Sequence, residues 1–227
     1  MLKQSKLTGV YIGQVKQVYG LETAIEKSSV TDDIYLSQLG LAADECADKK
    51  HHGGEDRALH QYPLEHYTYW QKKYGNHINW QAPGMGENLS SAEMTEHTVC
   101  IGDQYRWGEA IIEVSQPRSP CFKLNKRWQV DSFSVDMQRS GRCGWFYRVL
   151  TPGVVNVNLP LELIHREQSP LTVHQTSDLY FNQPLNKAGL ETLARQSKLA
   201  KSWQDKISFR RETGQVENWN FRLLGHA

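Results

Sequence analysis

Apolar and polar positions alternate in short runs over the first two-thirds of the chain. Thr8 to Val18 carry β-branched and aromatic residues interrupted by Gly13, which predicts an opening strand. Between residues 98 and 116 the pattern reads strand, turn, strand. Val99 and Ile101 lead into Gly102-Asp103, Tyr105 and Trp107 lead into Gly108-Glu109, and Ala110-Ile111-Ile112-Glu113-Val114 follows. Gly144 to Leu150 predicts another strand, stopped by Thr151-Pro152-Gly153, after which Val155 and Val157 resume the alternation. Short strands with Gly and Pro punctuation point to a mainly β barrel or sandwich. One helix breaks this pattern. Pro63 suits a first helical position, Leu64, Tyr67, Trp70 and Tyr74 share a stripe, and Gly75 is a stop.

After Ser169-Pro170 the period changes. Residues 171–181 predict a short helix. Asn186 caps a second, with Leu190, Leu193 and Ala194 on one face. A third carries Trp203, Ile207 and Arg210 or Arg211. The expected organisation is a β domain over residues 1–165 and a three-helix region over 166–227.

The chain has 227 residues, enough to bury a sizeable core without disulfides. Lys plus Arg number 26 and Asp plus Glu 25, a net charge of +1, which argues against a protein built to coat nucleic acid or an anionic membrane. Lys198, Lys201, Lys206, Arg210 and Arg211 are interleaved with Glu191, Asp205 and Glu212, the pattern of a solvated helix face rather than of a base reader. No apolar run approaches the ~20 residues of a membrane span, and the first residues lack a secretion signal, so a cytoplasmic location is expected. Cys46, Cys100, Cys121 and Cys143 are widely spaced and form no Cys-x-x-Cys pair, which leaves a zinc ribbon unsupported.

Three clusters carry candidate chemistry. Lys49-Lys50-His51-His52-Gly53-Gly54-Glu55-Asp56-Arg57-Ala58-Leu59-His60 combines glycines, which let backbone N–H groups approach an anion, with cationic donors. It reads as a phosphate-holding loop, a charged surface turn or, with Glu55 and Asp56, a metal site. The last reading suffers because adjacent side chains in an extended segment point opposite ways. Gly84-Met85-Gly86-Glu87-Asn88 is a tight turn with a donor and an acceptor beside it. In Arg118-Ser119-Pro120-Cys121-Phe122-Lys123-Leu124, Leu124 and Trp128 share a helical face with Cys121, placing the thiol near a helix start flanked by Arg118 and Lys123. These surroundings favour a thiolate, a nucleophile or a soft metal ligand. The residues alone do not choose between the two roles. Packing is expected of the other three cysteines.

The order His51-His52-Gly53-Gly54, Arg57-Ala58-Leu59-His60, Gly84-Met85-Gly86-Glu87-Asn88-Leu89, Ile101-Gly102-Asp103 and Arg118 to Leu124 resembles the MOSC domain of molybdenum-cofactor proteins. Gly141 to Leu150 and the helical C-terminus are similar to the YiiM branch of that family. The resemblance implies a MOSC-type β-barrel with a small C-terminal three-helix appendage and a molybdopterin-type molybdenum cofactor. It implies reduction of N-hydroxylated compounds such as hydroxylaminopurine base analogues, with a flavin-containing reductase as electron donor. Cys121 matches the family's protein ligand to molybdenum. His51, His52, Gly53, Gly54 and Arg57 are expected to hold the pterin and its phosphate. Asn88, Arg118 and Lys123 are expected to line the site, and Trp145 and Tyr147 to pack in the core. The alternatives are a cofactor carrier or sulfur-transfer module, a thiol hydrolase built on Cys121, and DNA binding through the C-terminal helices. The third of these has no base-reading motif behind it.

Overall fold

Alternating burial sets the central hairpin. Tyr105 and Trp107 on strand Gln104–Trp107, and Ala110, Ile112 and Val114 on strand Ala110–Pro117, all turn inward. The strands pair antiparallel with Trp107 opposite Ala110, and Gly108 makes the turn at φ +58°, in the left-handed region that favours glycine. The computed structural model describes residues 4–48 and 52–226. In it the hairpin strands are third and fourth in the order of a nine-stranded sheet. Trp145–Thr151 pairs beside Ala110–Pro117, then Leu59–Pro63, Leu89–Ser91 and Leu7–Gly13 follow. Of these pairings only that of Leu59–Pro63 with Leu89–Ser91 is parallel.

The fold is mainly β with a C-terminal helical region. The pairing order runs from Gln4–Ser5 at one end to Lys27–Ser29 at the other and does not return on itself, so these ladders do not draw the closed barrel expected from the sequence. Leu7–Gly13 spends Leu7 to Val10 on Leu89–Ser91 and Tyr11 to Gly13 on Lys27–Ser29, and register shifts interrupt three of the ladders.

The first helix is Glu65–Tyr74, stopped by Gly75 at φ +93°. Pro63 ends the preceding strand rather than opening the helix, because its segment is held in the parallel pairing with Ser91. Two short helices that the periodicity did not delimit, Lys123–Trp128 and Phe133–Ser140, pack against it. Together they build an aromatic core of Tyr62, Trp70, Trp80, Trp128 and Phe133, with Trp80 and Trp128 stacked at 4.3 Å. Val99 to Ile101 is not a strand. Cys100 makes a single bridge to Thr172 instead.

The C-terminal helices form where caps demand them. Thr172 and Gln175 make a reciprocal capping box for Val173–Ser177. Asn186 Oδ1 accepts from the Gly189 amide at 2.9 Å and starts Lys187–Ala194. Lys201–Thr213 buries Trp203, Ile207 and Arg210. A further helix, Asn220–Leu224, was not anticipated. Leu190, Leu193, Trp203 and Ile207 share one apolar cluster with Trp107, Ile112, Trp145 and Tyr147, so these helices rest on the same core as the sheet. The basic residues of this region are largely paired. Arg211 meets Glu191, Lys201 meets Asp205, and Arg210 is buried against Glu217.

Candidate active site

Cys121 sits just ahead of Lys123–Trp128, where the prolines at 117 and 120 carry the chain out of strand Ala110–Pro117. Its thiol is almost fully buried, on the wall of a cavity of ≈ 160 Å³. Burial works against the thiolate. A hydrogen bond from His52, the charges of His52 and Arg118 and the backbone N–H of Lys123 work for it and prevail, lowering Cys121 to about 7. Cys143 is as deeply buried but lacks such donors. Burial, with the Glu96 carboxylate, pushes it up to about 12.

His52 is held in turn by Asp48, with Nδ1 3.3 Å from Oδ2. His52, Gly53 and Arg57 all reach the cavity wall. Gly54 does not. It adopts φ +105° and starts the 3-10 turn Glu55–Arg57, which turns Arg57 inward. Burial lowers Arg57, while the charges of Asp56, Cys46 and Asp48 oppose this. The expectation for His51, like that for Lys49 and Lys50, falls outside the described residues.

Arg118 is a buried cation on the same wall. Its backbone N–H donates to Gly144 O at 3.0 Å, and its guanidinium reaches Met137 Sδ at 3.5 Å. Among the described residues no carboxylate pairs with it. A buried guanidinium without a counter-ion is costly unless an anion arrives. His60, also buried on this wall, is held well below the usual imidazole range by burial and by the Arg118 charge, so its ring is neutral.

Asn88 lines the cavity, but its side chain is already committed. It accepts from the His60 amide at 3.1 Å and donates to Asp44 Oδ2 at 2.7 Å and to Tyr11 O at 3.2 Å. It acts here as a brace between strands. Lys123 reaches the cavity from the first turn of its helix. The Gly84 to Leu89 turn is shaped by Glu87, a buried carboxylate that accepts from Tyr67 Oη at 2.6 Å and the Met85 amide at 2.9 Å. This places Met85 and Gly86 on the cavity wall. Trp145 and Tyr147 are in the core, as expected for strand aromatics.

Sequence reasoning missed Lys27, Asp44 and Cys46, and singled out His60 only as part of the first cluster, without a role. Lys27 and Asp44 form a close ion pair beside the cavity. Cys46 lines the cavity instead of packing in the core, which corrects the expectation. It follows a segment tied back to the first long strand by Glu45 N to Gly13 O, at 2.8 Å, and that tie is a tertiary contact with no local signature.

The donor set fits a cofactor that brings most of its own metal ligands. No group of three His, Cys, Asp or Glu side chains among the described residues could hold a bare ion. What lies here is one soft thiolate beside Arg57 and an Arg118 without a carboxylate, which suits an anionic group bearing a soft metal.

The mainly β fold with its C-terminal helical region agrees with the comparisons. The MOSC domain model matches residues 48–162, and the model for the YiiM-like, 3-alpha helix domain matches residues 171–214. Protein YiiM of Escherichia coli (strain K12) is 42% identical over 219 residues, covering 95% of this chain and 97% of that one. The crystal structure of YiiM from Escherichia coli superposes with a TM-score of 0.85 at 36% identity, covering 98% of this chain and all of that one. A protein named Reductase from Gibberella moniliformis is 36% identical over 169 residues, which is 72% of this chain and 30% of that protein. The chain belongs to the MOSC family, in its YiiM-like branch. No helix among the described residues is long and apolar enough to cross a membrane.

Proposed function

We propose that this protein is a molybdenum cofactor-dependent reductase of N-hydroxylated compounds, hydroxylaminopurine base analogues among them. The single observation that carries the reading is the buried Cys121 thiol, lowered to about 7 in a cavity that also holds Arg118. Family membership and the reductase-named relative support oxidoreductase chemistry. A closed MOSC barrel belongs to the same reading. Gln4–Ser5 and Leu7–Gly13 pair at distant points of the sheet order yet are separated by Lys6 alone.

When bound, the cofactor supplies a soft metal able to take the oxygen of an N–OH group in a two-electron reduction. The chain's own part is narrower. Cys121 Sγ is the protein ligand. His52, braced by Asp48, bonds to that sulfur and favours its thiolate. Arg118 and Arg57, with the Gly53 backbone, attract the anionic pterin side. Neutral His60 leaves the Arg118 charge undivided by a second cation. The near-complete burial of Cys121 limits solvent at the ligand sulfur to what the cavity admits.

The electron donor in this reading is a flavin-containing reductase, and the location is the cytoplasm. Reconstituting turnover tests it. Protein from cells that make the cofactor, supplied with a flavin reductase and NADH, is expected to convert 6-hydroxylaminopurine to adenine. Retained molybdenum with no conversion across several N-hydroxylated substrates would overturn the reductase reading in favour of a cofactor carrier.

A further inference from the structure

The last helix, Asn220–Leu224, lies beyond the stretch matched by the three-helix model, and it docks on the segment that carries Cys121. Arg222 contacts both flanks of that cysteine. Its guanidinium donates to the carbonyl of Pro120, and its own carbonyl accepts from the Phe122 amide at 2.8 Å. The other arm of the guanidinium is fixed on Gln138 Oε1 at 2.6 Å. The neighbouring turn adds two bonds. Leu223 O accepts from Asn125 Nδ2 at 3.0 Å and from Ser134 Oγ at 2.7 Å. Gly225 lies so close to the Phe122 ring that a Cβ there would meet it at 2.9 Å.

Each of these contacts restrains residues 120–138 from outside the sheet. Cys121 has no secondary-structure ladder of its own at this point, since the strand ends at Pro117 and the helix starts at Lys123. The orientation of Sγ toward His52 and the cavity therefore depends on what clamps the two peptides beside it. The guanidinium charge adds to this, because it lies near enough to Cys121 for the two to interact.

We propose that Arg222 is a positioning residue for Cys121, so that the C-terminal helix completes the ligand site. The inference rests on the reading of Cys121 as the cofactor ligand, but its first test needs no cofactor. In cofactor-free full-length protein, site-resolved alkylation by iodoacetamide across pH 5–10 reports the Cys121 midpoint. Arg222→Gln is expected to raise that midpoint by about one unit and to slow alkylation at pH 6.5 about tenfold, as loss of a nearby cation and of a fixed geometry requires. Gln138→Ala keeps the charge and removes only the anchor, and is expected to shift the midpoint part of the way. Thermal unfolding of each variant identifies any loss of folding. A folded Arg222→Gln variant with the wild-type midpoint would overturn the proposal. So would a Gln138→Ala variant with the wild-type midpoint, since the anchored geometry would then play no part. The second readout is molybdenum per chain after expression with the cofactor, expected to fall at least threefold in Arg222→Gln. If the midpoint shifts while wild-type protein itself carries no molybdenum, the positioning claim stands and the cofactor reading fails.

Discussion

His52 donates a hydrogen bond to Cys121, and that bond, with the nearby Arg118 charge, lowers a buried thiol to about 7. Without it burial would dominate, as it does at Cys143. In the cofactor-free protein the Cys121 thiolate is therefore expected to be substantially populated at neutral pH. Alkylation of this residue is expected to turn on around pH 7, well before that of Cys46, Cys100 or Cys143, whose thiols burial pushes up. His52→Gln removes the charge and weakens the donor, and should raise the Cys121 midpoint by one unit or more. Peptide-resolved alkylation across pH 5–10 checks both statements. An unchanged midpoint in His52→Gln would remove His52 from the account.

Arg118 presents the opposite trade. Its guanidinium is buried and has no carboxylate partner among the described residues, which opposes folding and favours anion capture. Arg118→Met keeps the volume and the contact with Met137. Its melting temperature is expected to equal or exceed that of the wild type, while cofactor retention drops tenfold or more. The same change should let the His60 imidazole titrate at higher pH, because Arg118 is part of what holds it down. Calorimetry, metal analysis and histidine NMR read the three effects separately.

The C-terminal helices carry their own ion pair. Arg210 is buried, donates to Tyr180 O at 2.8 Å and pairs with Glu217 at 2.7 Å. Burial raises the Glu217 carboxyl, but its bonds from Arg210 lead the opposing effects and take it down to about 2 from an ordinary value near 4.5. A depressed carboxylate contributes stability that is fully present above its unfolded pKa and is lost as pH falls through the folded value. The Glu217 contribution is therefore expected to disappear between about pH 4.5 and pH 2. Glu217→Gln should cost on the order of 3 kcal/mol at pH 7 by stranding the buried guanidinium, and should flatten the acid limb of the stability curve. Urea unfolding at a series of pH values measures this. A variant as stable as the wild type at pH 7 would contradict it.

Local rules accounted for what local chemistry dictates. Asn186 announces its helix, Gly75 ends another, and Pro120 with Lys123 marks the helix start beside Cys121. Cys121 and three of the four described loop residues, His52, Gly53 and Arg57, lie together on one cavity wall, as their local sequence suggests. The local sequence of Lys27, Asp44 and Cys46 suggests no such place. They reach the cavity through pairings across the sheet, and nothing within a few residues of them signals the destination. Asn88 looked like a free ligand group in a turn, yet its amide is consumed in bonds to His60, Asp44 and Tyr11, partners up to 77 residues away. The terminal helix escaped notice for the same reason. Its five residues have weak periodicity, and its stability comes from docking on residues 120–138.

The central claim is that Cys121 is the protein ligand of a molybdenum cofactor. Molybdenum per chain, measured by plasma mass spectrometry on wild type and Cys121→Ala purified side by side from cells that make the cofactor, tests it most directly. The prediction is near-stoichiometric metal with pterin fluorescence in the wild type, and at least a tenfold loss in Cys121→Ala at unchanged melting temperature of the cofactor-free forms. Equal molybdenum in the two proteins would contradict the account.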